Sequence, residues 1–186
     1  MHSGGIDMKI LVIESSPHAN GASNTLAGEF MRGAREAGHE VEVFDCAHAD
    51  IRPCRGCNAC GMAGTCIQKD DMTLTLRDKL MSCDMAVFVT PLYYYNVSSQ
   101  LKHVIDRFYS FTGELTARRL KTAFIVAAWD DNDWTMEVVE TYYKTLCRYM
   151  SFSDRGAVYG TGCGSAAMTR RSAHMREAYE LGRGLK

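Results

Sequence analysis

At 186 residues the chain has the size of one ordinary domain, large enough to bury a core without disulfide staples. Hydrophobic residues make up 46% and charged residues 23%, as in globular proteins, and no apolar run approaches the roughly 18 residues that a membrane-spanning helix needs. The 21 Lys and Arg nearly cancel the 22 Asp and Glu, without blocks of like charge, which argues against nucleic acid or an anionic membrane as the main partner.

Met1 to Asp7 is short, polar and glycine-containing, and lacks the apolar stretch of a signal peptide. Met8 stands directly before the first apolar strand. Residues 1–7 are therefore expected to be a loose leader or a cloning scar, and residues 8–186 a single domain in the cytoplasm. Eight cysteines without a secretion signal read as metal ligands or redox groups rather than as disulfides.

From Met8 onward, strand and helix patterns alternate five times. Ile10 to Ile13 is a continuous apolar run, as in a strand buried on both faces. Leu26, Phe30, Ala34 and Ala37 follow at helical spacing, and Gly38 stands where a helix-terminating glycine belongs. Glu40 to Phe44 alternates, so one face meets solvent and the strand is expected at a sheet edge. A loop from Cys46 to Lys69 carries most of the cysteines, and Asp70 or Asp71 is placed to cap a short helix through Leu80.

Met85 to Val89 is an apolar third strand, followed by a helix marked by Leu101, Val104, Ile105 and Phe108. Ala123 to Ala128 is the fourth strand. Met136, Val139, Tyr143, Leu146 and Met150 step by three and four, giving an amphipathic helix. Ala157 to Tyr159 predicts a short fifth strand, and Met175, Ala178 and Leu181 a last helix. Strands separated by helices imply parallel pairing with right-handed crossovers. The apolar strands 1, 3 and 4 belong in the centre. The predicted fold is therefore α/β, a three-layer α/β/α sandwich around a five-stranded parallel sheet of order 2-1-3-4-5. Order 3-2-1-4-5 would bury the two glutamates of strand 2. Ligands of such sheets bind beyond the carboxyl ends of the strands, at the switch between strands 1 and 3.

The loop after strand 1, Glu14 to Thr25, is dense in hydroxyls and amides and runs into a helix N-terminus. Free N–H groups and the helix dipole suit a phosphate there. Ser16, Ser23, Asn24 and Thr25 are candidate donors, and His18 is within reach. Neither G-x-G-x-x-G nor a P-loop is present, so a monophosphate fits better than a dinucleotide. Plain capping by Ser23 or Asn24 is the competing reading. The loop after strand 3 runs Thr90-Pro91-Leu92-Tyr93-Tyr94-Tyr95-Asn96 and suits a flat conjugated ligand. Ser98 or Ser99 is expected to cap the next helix.

These two loops carry a family resemblance. Ser16-Pro17 with Gly21, Ser23, Asn24 and Thr25 resembles an S-P-x-x-x-G-x-S-N-T signature. Pro91-Leu92-Tyr93, followed by Leu101-Lys102 and Ile105-Asp106-Arg107, resembles P-x-Y…L-K…I-D-R. Both belong to the NADPH-dependent FMN reductases, or multimeric flavodoxins, which have a flavodoxin-like fold. The resemblance implies FMN, with its phosphate held by Ser16, His18, Ser23, Asn24 and Thr25. It places the isoalloxazine against Pro91, Leu92, Tyr93, Tyr94, Tyr95 and Asn96. Family members often carry arginine where this chain has His18. For Lys102, Asp106 and Arg107 a solvated or interface-facing helix surface is the preferred reading.

After strand 4, Ala128 and Trp129 are expected to line the flavin, Trp129 stacking on the ring or on a nicotinamide, while Asp131 to Asp133 cap the next helix. The loop Thr161 to Gly164 after strand 5 lies near the site without an assignable role. Cys54, Cys57, Cys60 and Cys66 place four thiols within 13 residues. This spacing resembles the iron–sulfur flavoprotein branch of the same superfamily, which implies a [4Fe–4S] cluster near the flavin. A structural zinc and a resting set of free thiols are the alternatives. Cys46, Cys83 and Cys147 read as small buried hydrophobes.

No Ser-His-Asp or paired-carboxylate arrangement is evident, so the flavin itself is expected to carry the chemistry, with no catalytic side chain. The leading reading is an oxidoreductase: NAD(P)H reduces FMN, which reduces a quinone, a free flavin or another small-molecule or protein acceptor. A flavodoxin-like electron carrier is the second reading, weakened by a net charge of only −1. A flavin-free metal or thiol-redox module is the third. The resemblance also implies a homodimer or homotetramer.

Overall fold

The computed structural model describes residues 7–186, so the expectation for the leading segment lies, Asp7 apart, outside the described residues. Five parallel strands form one sheet: β1 (Lys9–Glu14), β2 (Glu40–Asp45), β3 (Met85–Pro91), β4 (Lys121–Ala127) and β5 (Ser153–Gly160). Their order is β2-β1-β3-β4-β5, as the hydrophobic patterning requires. Met85 to Thr90 in central β3 are all buried, whereas edge strand β2 exposes Glu40 and Glu42.

β5 is longer than the Ala157 to Tyr159 segment that its sequence suggests. The ladder to β4 slips between Thr122 and Phe124, and Gly156 takes φ +121°. Its N–H donates to Asp154 Oδ1. This bulge places the polar run Ser153 to Gly156 in the strand, where apolar periodicity does not mark it.

Alternation along the strands makes two cores. Ile10, Val12, Val87, Val89 and Ile125 face α1 (Ala22–Glu36) and α7 (His174–Arg183). Leu11, Ile13, Phe88, Phe124 and Val126 face the other side. That side is covered by α2 (Arg77–Ser82), α3 (Ser99–Arg107), α4 (Thr112–Ala117) and α5 (Glu137–Met150), and a further short helix, α6 (Ala166–Thr169), follows β5. A π-helical turn at Met72–Leu76 precedes α2, and a 3-10 turn at Phe108–Phe111 joins α3 to α4.

Two expectations are corrected here. Arg107 is not on an exposed helix face: it is 1% exposed and grips Asp70 with both terminal nitrogens, at 2.7 and 3.0 Å. Those nitrogens also donate to the Arg52 carbonyl and to Thr73 Oγ1, both at 2.9 Å. Asp70 is thus an anchor, accepting the N–H groups of Arg52 and Thr73 as well, rather than a simple helix cap. Burial alone would raise the Asp70 carboxyl, but the guanidinium and these N–H donors outweigh it and hold it below the usual carboxylate range. Lys102 and Asp106, by contrast, form the expected exposed pair one helical turn apart. Second, Asp130 rather than Asp131 to Asp133 organises the approach to α5, accepting from the Asp131 N–H, the Asn132 amide and the Thr135 hydroxyl.

Helices α1 and α7 cross at two glycines. A Cβ on Gly182 would stand 2.1 Å from the Phe30 carbonyl oxygen, and one on Gly33 would stand 2.3 Å from that of Tyr179. Both obstacles are backbone, so the helices must separate to admit a methyl group. Gly182→Ala is expected to destabilise the fold by about 1–3 kcal/mol, measured by urea denaturation; an unchanged midpoint would contradict this close crossing.

Candidate cofactor site

Two turns leave the carboxyl edge of the sheet side by side, after β1 and after β3. They are joined at the base by buried hydroxyls. The Ser15 N–H and Oγ both donate to the Val89 carbonyl, at 3.0 and 2.8 Å. Ser98 Oγ lies 2.9 Å from Ser15 Oγ, across 83 residues of sequence. The Ser98 N–H donates to Thr90 Oγ1 at 2.9 Å, and Ser98 Oγ accepts the Leu101 N–H, capping α3 as the sequence suggests. Ser15, Thr90 and Ser98 are fully buried.

The first turn folds on itself. Ser16 Oγ accepts the His18 N–H at 3.2 Å, and the Gly21 N–H donates to the His18 carbonyl at 2.8 Å. Gly21 is the N-cap of α1 and no side chain caps the helix, so the capping reading of Ser23 or Asn24 is set aside. A Cβ at Gly21 would lie 2.6 Å from Ser16 Oγ and 2.9 Å from the His18 carbonyl oxygen. The N–H groups of Ala22, Ser23 and Asn24 have no acceptor among the described residues, and no acidic side chain occupies the first turn. Unsatisfied first-turn donors beside a positive helix end suit an anion.

The second turn is a tight hairpin. The Tyr93 N–H donates to the Asn96 carbonyl at 2.9 Å, and the Asn96 N–H to that of Tyr93 at 3.1 Å. Tyr94 and Tyr95 sit between at φ +46° and +62°. Positions of this kind usually hold Gly or Asn, and a bulky residue there stores about 1–3 kcal/mol of strain. Tyr95 packs on Trp134 at 5.1 Å between ring centroids, while Tyr94 projects fully into solvent.

Between the turns opens a cavity of about 790 Å³. Ser16, His18 and Ser23 line one end, Pro91, Leu92, Tyr93 and Trp129 the other, and Cys163 to Ala166 close a side. The volume lies within the range of cofactor sites, and the donor set matches a phosphate at one end and an aromatic ring system at the other. FMN fits this cavity by both criteria. Not every predicted residue lines it. Thr25 Oγ1 is committed to the Gly21 carbonyl, and the Asn24 amide points to that of Ala19. Tyr94, Tyr95 and Ala128 instead form, with Trp129, an adjoining cavity of about 260 Å³. Asn96 closes the hairpin and accepts the Val97 N–H. The C-terminal loop is the part that sequence reasoning left without a role. Gly164 lies flat on the Trp129 indole, where a Cβ would meet the ring at 2.1 Å. The glycines flanking Cys163, directly after a strand end, are the signal.

Cys54, Cys57, Cys60 and Cys66 line a separate small cavity together with Arg107 and Tyr109. Among the described residues no three His, Cys, Asp or Glu side chains converge as a single metal ion requires. Four thiols on one loop around one cavity are a donor set of the kind that an iron–sulfur cluster takes. Cys46 and Cys83 are buried as expected, and burial pushes both thiols up to about 12. Burial likewise raises Cys147. These three remain protonated and unreactive near neutral pH.

The fold and site define a doubly wound α/β domain with an anion-accepting turn and an aromatic turn at one switch point. A family model described as NADPH-dependent FMN reductase matches residues 8–183, and the chain belongs to that family. An iron–sulfur flavoprotein of Methanocaldococcus jannaschii is 35% identical over 100 residues, covering 54% of this chain and 51% of that protein. One from Archaeoglobus fulgidus is 37% identical over 102 residues, covering 54% and 48%. The chain thus spans about half the length of the curated relatives it matches. Among solved structures, an NAD(P)H:quinone oxidoreductase from Methanothermobacter marburgensis superposes with a TM-score of 0.79 at 18% identity, over 97% of this chain and 96% of that one. It shares the fold.

One titrating group stands at the same sheet edge. Burial, then the neighbouring Asp45, push the Glu14 carboxyl from its ordinary 4.5 up to about 7. Below that window Glu14 is protonated folded or unfolded. As pH rises through it, the unfolded chain releases the proton first and stability is lost. Glu14→Gln is expected to remove this loss, about 1–2 kcal/mol for a partly exposed group. Urea denaturation on either side of the window measures it; equal slopes for both proteins would contradict it.

Proposed function

We propose that the chain is an FMN-dependent NAD(P)H oxidoreductase of the cytoplasm, acting on a small-molecule acceptor such as a quinone or a flavin. The observation that carries this reading is the single cavity of about 790 Å³ flanked by an anion-accepting turn and an aromatic turn. Family membership and the flavoprotein relatives support it. Bound FMN supplies hydride acceptance and electron return in pairs or singly.

The chain's own residues position and enclose. Ser16, His18 and the first-turn N–H groups of α1 would hold the phosphate without a lysine or arginine in the turn. The helix end supplies the positive potential that a dianion needs. Pro91, Leu92, Tyr93 and Trp129, the last braced by Gly164, would contact the ring system. No general acid or base is assigned. Cys54, Cys57, Cys60 and Cys66 would hold a [4Fe–4S] cluster, which supplies a one-electron relay. A homodimer or homotetramer would cover the exposed rings of Tyr94 and Trp129.

Two measurements test the reading. Protein purified without oxygen should show flavin absorbance and oxidise NADPH rapidly when benzoquinone is added. Reduction of protein acceptors alone would favour a carrier. Gly21→Ala should weaken FMN binding at least tenfold, about 1.4 kcal/mol, because the added methyl group collides with Ser16 Oγ and the His18 carbonyl. Circular dichroism should be unchanged. Undiminished affinity would contradict the phosphate assignment.

A further inference from the structure

Arg107 has one polar atom that the fold does not use. Its terminal nitrogens are committed to Asp70, the Arg52 carbonyl and Thr73. Its Nε–H has no partner among the described residues, although the side chain is 1% exposed. A buried donor left unpaired costs about 1–3 kcal/mol, so such groups are rarely retained without an acceptor. Arg107 lines the small cavity shared by Cys54, Cys57, Cys60 and Cys66. Sulfur is therefore the acceptor chemistry at hand.

We infer that Arg107 is a built-in hydrogen-bond donor to the sulfur of a cluster held by these cysteines, fixing its potential. The inference rests on the proposal that the four cysteines hold an iron–sulfur cluster. The geometry explains how one residue serves two ends. Through Asp70 and the Arg52 carbonyl it clamps the chain at both ends of the cysteine loop, Arg52 before it and Asp70 after it. Its side chain also lines the cavity inside that loop. Asp70 balances the guanidinium charge, so the N–H donor is what stabilises the more negative, reduced form of a cluster and raises its reduction potential.

The test uses the full chain purified without oxygen, with iron and sulfide assays and an electron paramagnetic resonance redox titration. Arg107→Lys keeps a cation against Asp70 and removes the Nε–H. It should retain iron and sulfide but titrate at a more negative potential and lose iron to a chelator severalfold faster. Thr73→Val removes one contact of the same guanidinium without touching Nε, and should leave the potential unchanged. If Arg107→Lys binds iron and titrates like the parent, or if both variants shift alike, the donor role is overturned and Arg107 is structural. If Arg107→Lys does not fold, Arg107→Gln, whose amide N–H stands where the Nε–H stood, must keep a potential near that of the parent, and a clear negative shift overturns the inference. Absence of iron and sulfide from the parent protein would overturn the cluster proposal itself, and the donor role with it.

Discussion

The hydroxyl chain linking Ser15, Ser98 and Thr90 is the constraint on which the site depends. Three fully buried side chains, just beyond β1, at the end of β3 and at the start of α3, would each be costly without partners. Together they satisfy one another, the Val89 carbonyl and the Leu101 N–H in the first turn of α3. The consequence is geometric. A turn near residue 16 and a turn near residue 93 leave the sheet from one fixed base, so the distance between an anion in the first and a ring against the second is set by the fold. Parallel pairing of β1 with β3 brings their ends together, and the hydroxyls fix the two loops beyond them.

The two turns reach rigidity by different means. The first relies on glycine: only a residue without Cβ lets Ser16 and the His18 carbonyl close over the start of α1. The second holds two tyrosines in a backbone region that suits glycine, balanced by the packing of Tyr95 on Trp134 and by paired backbone hydrogen bonds. Strain of this kind persists where surrounding contacts over-determine the conformation, and it concentrates beside ligands. Trp129 is fixed in a third way, by a glycine from the loop after β5.

Much of this was legible in the sequence because burial on two faces leaves a plain signature. The apolar runs of β1, β3 and β4 and the alternation of β2 gave the strand order directly. Both turns that line the candidate cofactor cavity were visible from their composition at strand ends. What escaped the sequence were features that arise only from tertiary contact. Arg107 looks like a solvent-facing residue at the end of an amphipathic helix until Asp70, 37 residues earlier, is brought beneath it. The polar start of β5 has no strand periodicity because a bulge, not side-chain burial, places it in the sheet. Thr25 and Asn24 fit a phosphate-binding pattern by residue type, yet their side chains bond to local backbone. Residue type shows what a side chain can do, and the fold decides which way it points.

The central claim is that both turns hold one ligand. Backbone amide hydrogen exchange with FMN added tests it most directly. The account predicts slowed exchange at Ala22 to Asn24 and also at Tyr93 to Asn96, whereas inorganic phosphate slows only the first group. Protection by FMN confined to one turn, or absent from both, would contradict it.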